Sequence, residues 1–220
     1  MINDKTKTIQ RVVIFANGQY SAPKYYKETI QPEDYLICAD GGANAAFSMG
    51  FIPDEIIGDF DSADAEILKK LDLEKTIYSQ YPSAKNESDL ELAIEKSISL
   101  SPDLIMIFGA MGKRTDHFLI NVMLLNRILR GNIKAVMSDQ TYDVFLIDDA
   151  IALQTEKDMK LTLIPLSDVV KNVETQGLRY ALNKEDLYAG SSRGLSNEAL
   201  GNRVTINLSE GRLLVIVIKK

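Results

Sequence analysis

Two aspartates separated by one apolar residue follow a short apolar run in the first third of the chain. They lie in the stretch Gly58–Asp64, which reads GDFDSAD. In an extended chain alternate side chains point to opposite faces, so this spacing predicts that Asp59 and Asp61 share one face and Phe60 the other. Paired carboxylates repel each other unless a cation lies between them, and their hard oxygens suit Mg²⁺. The same residues are also typical of an Asp-rich turn that leads into a helix capped at Ser62 or Asp64.

The elements that must position this stretch are short apolar strands alternating with helices. The predicted strands are Arg11–Ala16, Tyr35–Ala39, Glu55–Gly58, Thr76–Ser79, Leu104–Phe108 and Ile133–Met137. Helices are predicted from Pro23 to Ile30, over the small residues before Gly50, and at Ala65–Leu71, Glu87–Leu100 and Asp116–Arg130. This alternation predicts an α/β domain with a mostly parallel, doubly wound sheet.

Polar residues gather at the carboxyl ends of these predicted strands. They are Asn17, Asp40, Asp59, Asp61 and the glycine-containing loop Gly109–Gly112. Ligands of doubly wound sheets bind beyond the carboxyl ends of the strands. Aspartates that merely form turns have no reason to collect at one edge, so their placement favours the metal interpretation.

Two helix starts add candidate chemistry at the same edge. Asp89 opens the fourth helix, where it is either a further metal ligand or a carboxylate that favours a helix N-terminus. The segment Gly112–His117 joins a glycine loop to a helix and carries the cations Lys113 and Arg114, which suits phosphate. It is not spelled as a Walker P-loop. His117, the single histidine, is interpreted equally as a structural hydrogen-bonding group or a proton-transfer group.

The pattern changes after Asp139, where helical periodicity is weak. Strands are predicted at Val144–Ile147, Lys160–Ile164, Arg203–Leu208 and Arg212–Ile218, the last two joined as a hairpin by Ser209-Glu210-Gly211. We therefore predict two domains, an α/β domain at 1–139 and a small all-β sandwich at 140–220.

Composition restricts the function classes. The chain has 220 residues, of which 45% are apolar and 25% charged, with 25 basic and 31 acidic side chains and a net charge of −6. That balance argues against nucleic-acid or membrane-surface binding. The one cysteine, Cys38, is predicted to be a buried strand thiol. The first ten residues lack the apolar core of a signal peptide, so we expect a cytoplasmic protein.

Six motifs, taken in order, resemble the thiamine pyrophosphokinase family. They span almost the whole chain: ADGGAN (39–44), GDFDS (58–62), KNESDLELA (85–93), GKRTDH (112–117), GLRY (177–180) and SNE (196–198). The resemblance implies a nucleotide-binding α/β domain, a thiamine-binding β-sandwich and Mg²⁺-dependent transfer of pyrophosphate from ATP to the thiamine hydroxyl, releasing AMP. It also implies a homodimer in which thiamine lies between domains of different subunits.

The resemblance assigns roles residue by residue. It implies metal binding by Asp40, Asp59, Asp61 and Asp89, and catalytic roles for Asp59, Asp61, Asp89, Arg114 and Asp116. The candidate cofactor-binding residues are Asn17, Asp40, Gly41, Gly42, Asn44, Lys113, His117, Tyr180, Ser196 and Asn197, the last three on the thiamine side. Asn86 departs from the family pattern, which often has an aspartate there.

Two other functions are compatible with parts of the sequence. A phosphohydrolase could use Asp59 of the D-x-D pair as an aspartyl nucleophile. A nucleotide sensor without catalytic activity could bind ATP through the same residues. The phosphohydrolase interpretation leaves the GKRTDH loop and the β domain without a role.

Overall fold

The computed structural model describes residues 9–72, 76–112 and 114–219 of the chain. These residues form two compact units that divide between Asp139 and Gln140. Among the helices described, none is long and apolar enough to cross a lipid bilayer.

The first unit contains six parallel strands. They are β1 Arg11–Phe15, β2 Tyr35–Ala39, β3 Glu55–Gly58, β4 Ile77–Gln80, β5 Leu104–Phe108 and β6 Lys134–Ser138. Their spatial order is β6-β5-β1-β2-β3-β4, with every neighbouring pair parallel. The chain therefore winds outward in both directions from the β1–β5 pair, which creates a crevice at the carboxyl ends of these two strands.

Helices cover both faces of these strands. They are α1 Pro23–Thr29, α2 Gly42–Ser48, α3 Ala65–Asp72, α4 Asp89–Ser99 and α5 Thr115–Arg130. Helices α1 to α3 share a core cluster with Phe15, Cys38 and Ile56, whereas α4 packs against β1, β2 and β3 and against α5. The alternate strand residues, such as Ile14 and Ile37, are also fully buried and face the α4 side. The predicted doubly wound sheet and the buried Cys38 are confirmed.

The second unit is an antiparallel β-sandwich, as predicted. Its strands are β7 Tyr142–Ile147, β8 Ala150–Gln154, β9 Lys160–Pro165, β10 Val169–Gln176, β11 Glu185–Tyr188, β12 Asn197–Glu198, β13 Arg203–Asn207 and β14 Leu213–Ile218. The order β12-β9-β14-β7 faces the order β11-β10-β13-β8. Alternate residues of both layers, including Leu163, Val204 and Val215, form one core cluster.

The predicted hairpin between the last two strands is wrong. Strand β13 pairs with β8 and β10, whereas β14 pairs with β7 and β9, so the two strands belong to opposite layers. The connecting residues Ser209 and Glu210 instead bond to the main chain of Lys171 in β10, at 3.0 and 2.9 Å. A Gly-containing turn between two apolar strands is equally compatible with a hairpin and with a crossing between layers, so its letters cannot distinguish them.

Four strands of the second unit were missed, namely β8, β10, β11 and β12. The most instructive is β10, whose register shifts between Val170 and Val173 where it pairs with β11. Asn172 in this irregular segment has a positive φ of 53°. A bulge of this kind breaks the alternation of apolar and polar residues by which a strand is predicted.

An ion pair between a buried carboxylate and a partly exposed lysine joins β3 to α4, the two elements that lead to Asp59 and Asp89. Glu55 opens β3 and is 0% exposed, and its Oε2 lies 3.0 Å from Lys96 Nζ on α4. Ser79 Oγ donates to Oε1 at 2.5 Å, and Tyr35 Oη donates to Oε2 at 3.4 Å. A buried carboxylate is tolerated only when such partners compensate for its lost hydration, so Lys96 supports both elements.

We predict that Lys96→Met lowers the free energy of unfolding by about 2 kcal/mol, because it leaves the Glu55 charge buried with hydroxyl partners alone. Urea unfolding of the purified protein measures the change. Lys69→Met is the matched control, since Lys69 and its partner Glu66 are both more than 70% exposed; it should change stability by less than about 0.5 kcal/mol. Equal effects of the two variants would contradict this role of Lys96.

Candidate active site

A cleft of about 590 Å³ lies at the carboxyl ends of the parallel strands in the first unit. Its walls come from the residues that follow β1, β2, β3 and β5 and from the starts of α4 and α5. The predicted site residues that line it are Asn17, Asp40, Asp59, Asp61, Asp89, Arg114 and His117. The cleft therefore opens at the carboxyl ends of the strands, where the sequence predicted the site.

Three carboxylates converge in this cleft. Asp40 follows β2, Asp59 follows β3, Asp89 begins α4, and one oxygen of each lies within 4.8 Å of the others. Gly58 makes this approach possible, because a Cβ there would lie 3.0 Å from Asp40 Cβ and 3.1 Å from Asp89 Oδ1. Such closely spaced carboxylates have the donor atoms and the charge that a hard divalent cation requires.

Asp40 is the most buried of the three, at 4% exposure. It has a positive φ of 44°, and its amide donates to Ile57 O of β3 at 2.8 Å. Burial raises the pKa of its carboxyl, although hydrogen bonds from Ser62 and from the Gly41 amide act in the opposite direction. Its buried Oδ1 has no hydrogen-bond partner among the residues that the structure describes. An orphaned buried carboxylate oxygen beside two other carboxylates fits a cation ligand.

Lys85 is the counter-ion of this cluster. Its Nζ lies 3.0 Å from Asp89 Oδ1 and 4.0 Å from Asp59 Oδ2, and its side chain is 11% exposed. Burial lowers the pKa of Lys85, but its ion pair with Asp89, followed by the charges of Asp59 and Asp40, leaves the pKa raised. A hydrogen bond from Ser83 is the largest cause that lowers the pKa of the Asp59 carboxyl, and Lys85 acts in the same direction.

The conformation expected of the Asp59–Asp61 pair is wrong. Strand β3 ends at Gly58, and Phe60 has a left-handed φ of 66°, so extended alternation does not apply. Asp59 joins Asp40 and Asp89, whereas Asp61 lies on the cleft wall outside the three-carboxylate cluster, with its Oδ1 accepting from Ser62 Oγ at 2.9 Å. The role of Asp61 as a metal ligand stays a prediction.

Asn44 holds the loop that carries Asp59. Its Nδ2 donates to Ser62 O and its Oδ1 accepts from the Asp64 amide, both at 2.9 Å. Asp64 in turn caps α3 by accepting from the amides of Glu66 and Ile67 at 2.7 and 3.3 Å. The structure thus places Asn44, predicted to bind the cofactor, in contact with the loop main chain.

Both interpretations of Asp89 stay open, because it lies in the first turn of α4, where a helix N-terminus favours a carboxylate, and also lines the cleft. Ser88 is the N-cap of α4, and its side chain accepts from the Glu91 amide at 3.2 Å. Asp89 is the first helical residue, and its carboxylate lines the cleft. Asn86, at the position where the family pattern has an aspartate, is exposed and does not line it.

Arg114 lies on the cleft wall at the start of α5 and is held by a neighbour. Its Nε and Nη2 donate to the two carboxylate oxygens of Asp116 at 2.9 and 2.5 Å. This bidentate hydrogen bond keeps the pKa of Asp116 well below its usual range. His117 also lines the cleft, whereas Lys113 lies outside the described residues.

Gly41 and Gly42 allow α2 to approach the end of β1. A Cβ at Gly42 would lie 2.0 Å from Phe15 O, and one at Gly41 would lie 2.6 Å from Asn17 Oδ1. Neither residue lines the cleft. Their small size therefore serves close packing beneath the site.

Three residues of the site were not singled out from the sequence. Lys85 and Ser83 contact the carboxylates as described above, and Asn121 Nδ2 donates to Ala110 O at 2.8 Å to hold the loop after β5. Two of them had a spacing signal: Lys85 precedes Asp89 by four residues, and Asn121 follows His117 by four on α5. Ser83 had none.

The thiamine-side candidates lie in the second unit. Tyr180 is 57% exposed and Ser196 is exposed, whereas Asn197 is 3% exposed. Asn197 Oδ1 accepts from the amides of Tyr180 and Glu198 at 3.0 and 2.9 Å, and its Nδ2 donates to Tyr180 O at 2.8 Å. Its side chain thus fixes the main chain that carries the exposed Tyr180 ring.

Two family models match the chain. The model for the thiamin pyrophosphokinase catalytic domain matches residues 26–137, and the model for the thiamin pyrophosphokinase vitamin B1 binding domain matches residues 150–213. The first match covers more than half of the chain. The chain belongs to the thiamin pyrophosphokinase family. The resemblance stated from the six motifs is confirmed, and with it the class of ATP-dependent pyrophosphotransferases.

Similar proteins and structures agree with this membership. Thiamine pyrophosphokinase of Bacillus subtilis is 31% identical over 183 residues, which are 82% of this chain and 85% of the relative. The crystal structure of thiamine pyrophosphokinase from Bacillus subtilis has a TM-score of 0.88 at 27% identity, over 96% of this chain and 100% of that one. Thiamin pyrophosphokinase from Candida albicans, at 16% identity and a TM-score of 0.79 over 96% of this chain and 90% of that one, shows the shared fold.

The contacts of Asn44 generate a prediction on local stability. Asn44→Ala removes both side-chain hydrogen bonds to the loop 59–64, so its amides should exchange with solvent about tenfold faster. Hydrogen exchange followed by mass spectrometry measures this. Ser48→Ala, which removes only a hydrogen bond to Ala45 O within the same helix, should leave the loop unchanged. Unaltered exchange in Asn44→Ala would show that the loop is held by other contacts.

Proposed function

We propose that this chain is a magnesium-dependent thiamine pyrophosphokinase that uses the three-carboxylate cleft to bind the phosphates of ATP. The observation that carries the proposal is the convergence of Asp40, Asp59 and Asp89 around a buried carboxylate oxygen without a partner. This convergence lies inside the segment that matches the family's catalytic domain.

The charge of the cluster supports a divalent cation. When all four groups are ionised, three carboxylates and the Lys85 ammonium leave two net negative charges, which one Mg²⁺ offsets. Asp40, Asp59 and Asp89 would hold the ion. Bound there, Mg²⁺ supplies charge neutralisation to the phosphates of ATP and polarises the phosphorus that is attacked.

Arg114 is the candidate phosphate ligand of the opposite wall. Asp116 fixes the plane of its guanidinium through two parallel hydrogen bonds. A guanidinium oriented in advance loses less side-chain entropy when it binds phosphate oxygens. We infer that Asp116 acts as a positioning residue through Arg114, since it does not line the cleft itself.

The proposed reaction balances without a covalent enzyme intermediate. The thiamine hydroxyl oxygen bonds to the β-phosphorus, and its proton passes to solvent water. The bond from the β-phosphorus to the α–β bridging oxygen breaks, and AMP leaves with that oxygen. In-line positioning and neutralisation of charge are the main demands of such a transfer, and the cleft offers groups for both.

We also propose that the second unit binds thiamine, because it matches the family's vitamin B1 binding domain. The exposed ring of Tyr180 offers a stacking surface to an aromatic cation, and Asn197 fixes the main chain beneath it. Ser196 is exposed and directly precedes Asn197 in the chain. The homodimer, with the thiamine site shared between subunits, stays a proposal that rests on the family resemblance.

The enzyme should release AMP from ATP only when both thiamine and Mg²⁺ are present. Asp59→Asn should lower this rate at least about a hundredfold, because it removes one anionic ligand of the cluster. Asp64→Asn is the matched control in the same loop: it does not line the cleft, and Asn still caps a helix, so the rate should stay within about twofold.

Each rival function has its own result in this assay. Phosphate release without thiamine would indicate a phosphohydrolase. ATP binding with no turnover under any condition would indicate a nucleotide sensor. Full activity of Asp59→Asn would contradict the assignment of the three carboxylates.

A further inference from the structure

Both cations that the structure describes on the wall of the cleft are held by carboxylates. Arg114 is bound to Asp116, and Lys85 is bound to Asp89 and Asp59. The Lys85 side chain is 11% exposed. The absence of a side chain at Gly58 lets Asp40 and Asp89 approach each other. The Lys85 ammonium therefore supplies positive charge to the carboxylates that a bound metal ion would also neutralise.

A divalent cation at Asp40, Asp59 and Asp89 would lie close to the Lys85 ammonium. Two like charges within a few ångströms cost free energy, and that cost is larger in a partly buried cleft than in water. Lys85 must then lose its carboxylate partners or repel the metal. A free metal ion offers the displaced ammonium no new partner, whereas a metal–polyphosphate complex offers its phosphate oxygens.

We propose that Lys85 couples metal binding to nucleotide binding by exchanging its carboxylate partners for phosphate oxygens. Without nucleotide, Lys85 satisfies the carboxylates and disfavours a free divalent ion. With nucleotide, the metal takes the carboxylates and Lys85 moves to the polyphosphate. Such coupling is reciprocal, so each of metal and polyphosphate raises the affinity of the site for the other. This inference rests on the proposed function of the cleft.

The test measures the binding of Mn²⁺ alone and of the Mn²⁺ complex of α,β-methylene-ATP, an analogue whose α–β link cannot be cleaved by this transfer. Titration calorimetry is performed on the full chain without thiamine. Lys85→Gln should bind free Mn²⁺ about tenfold more tightly than the wild type, because a repelling charge is gone. It should bind the Mn²⁺–analogue complex about tenfold more weakly, because a phosphate partner is gone. Lys85→Met, which keeps an unbranched stem of similar length, should behave in the same way if Lys85→Gln does not fold.

Two control variants separate the effect of the Lys85 charge from a general effect on the structure. Lys85→Arg keeps the charge and should bind free Mn²⁺ within about threefold of the wild type. Lys24→Gln breaks another Lys–carboxylate pair of i, i+4 spacing, at 3.6 Å from Glu28 and far more exposed, and should change neither affinity. The proposed coupling predicts opposite changes in the two affinities of Lys85→Gln, whereas a merely structural role predicts changes in the same direction.

Affinities that fall together in Lys85→Gln and Lys85→Met would assign Lys85 a merely structural role and overturn the inference. Two unchanged affinities would overturn it as well. Asp59→Asn distinguishes failure of this inference from failure of the proposed function. If wild type and Asp59→Asn bind the Mn²⁺–analogue complex equally, the metal site is wrong and both proposals fail. If Asp59→Asn loses binding and Lys85→Gln matches the wild type, only the inference about Lys85 fails.

Discussion

The repulsion among three carboxylates within 4.8 Å of one another is the constraint on which the site depends. Such an arrangement needs positive charge or a shared proton nearby, and the chain supplies one ammonium from Lys85. With all three carboxylates ionised the cluster stays negative, and this residual charge is one reason why a divalent cation is proposed there.

The fold holds these charges together by placing them at adjacent strand ends. Asp40 and Asp59 follow the neighbouring parallel strands β2 and β3. The Asp40 amide donates a hydrogen bond to Ile57 O in β3. Gly58 leaves room for the third carboxylate, which α4 delivers from Asp89. At the opposite end of β3, the buried Glu55 is paired with Lys96 of the same helix, so strand and helix are joined at both ends.

The fold of the first unit was largely predictable because most of its strands, the edge strand β4 excepted, are buried on both faces. An uninterrupted apolar run such as Leu104–Phe108 predicts a buried strand without any alternation of apolar and polar residues. The second unit was harder to predict, since its strands carry polar residues and bulges, as at Asn172. The crossing at Ser209 to Gly211 has the letters of a hairpin, and only pairing across the whole unit shows that it joins opposite layers.

The sequence predicted that the site lies at the carboxyl ends of the parallel strands, but it predicted fewer of the individual contacts. Strand ends located Asp40 and Asp59, but the left-handed backbone at Phe60 separated Asp61 from the cluster. Lys85 was missed because a lysine between polar residues resembles a solvated loop, and its burial depends on contacts between distant segments. The cofactor-binding role of Asn44 stays a prediction, whereas its hydrogen bonds to residues 62 and 64 could not be predicted because tertiary structure sets them.

The central claim is that Asp40, Asp59 and Asp89 hold the metal that accompanies the phosphates of ATP. Anomalous diffraction from crystals grown with Mn²⁺ and α,β-methylene-ATP tests it most directly, because Mn²⁺ scatters anomalously and substitutes for Mg²⁺ at oxygen ligands. We expect an anomalous peak about 2.0–2.3 Å from carboxylate oxygens of these residues and within the same distance of phosphate oxygens. A Mn²⁺ peak that contacts the phosphates but none of the three carboxylates would contradict it.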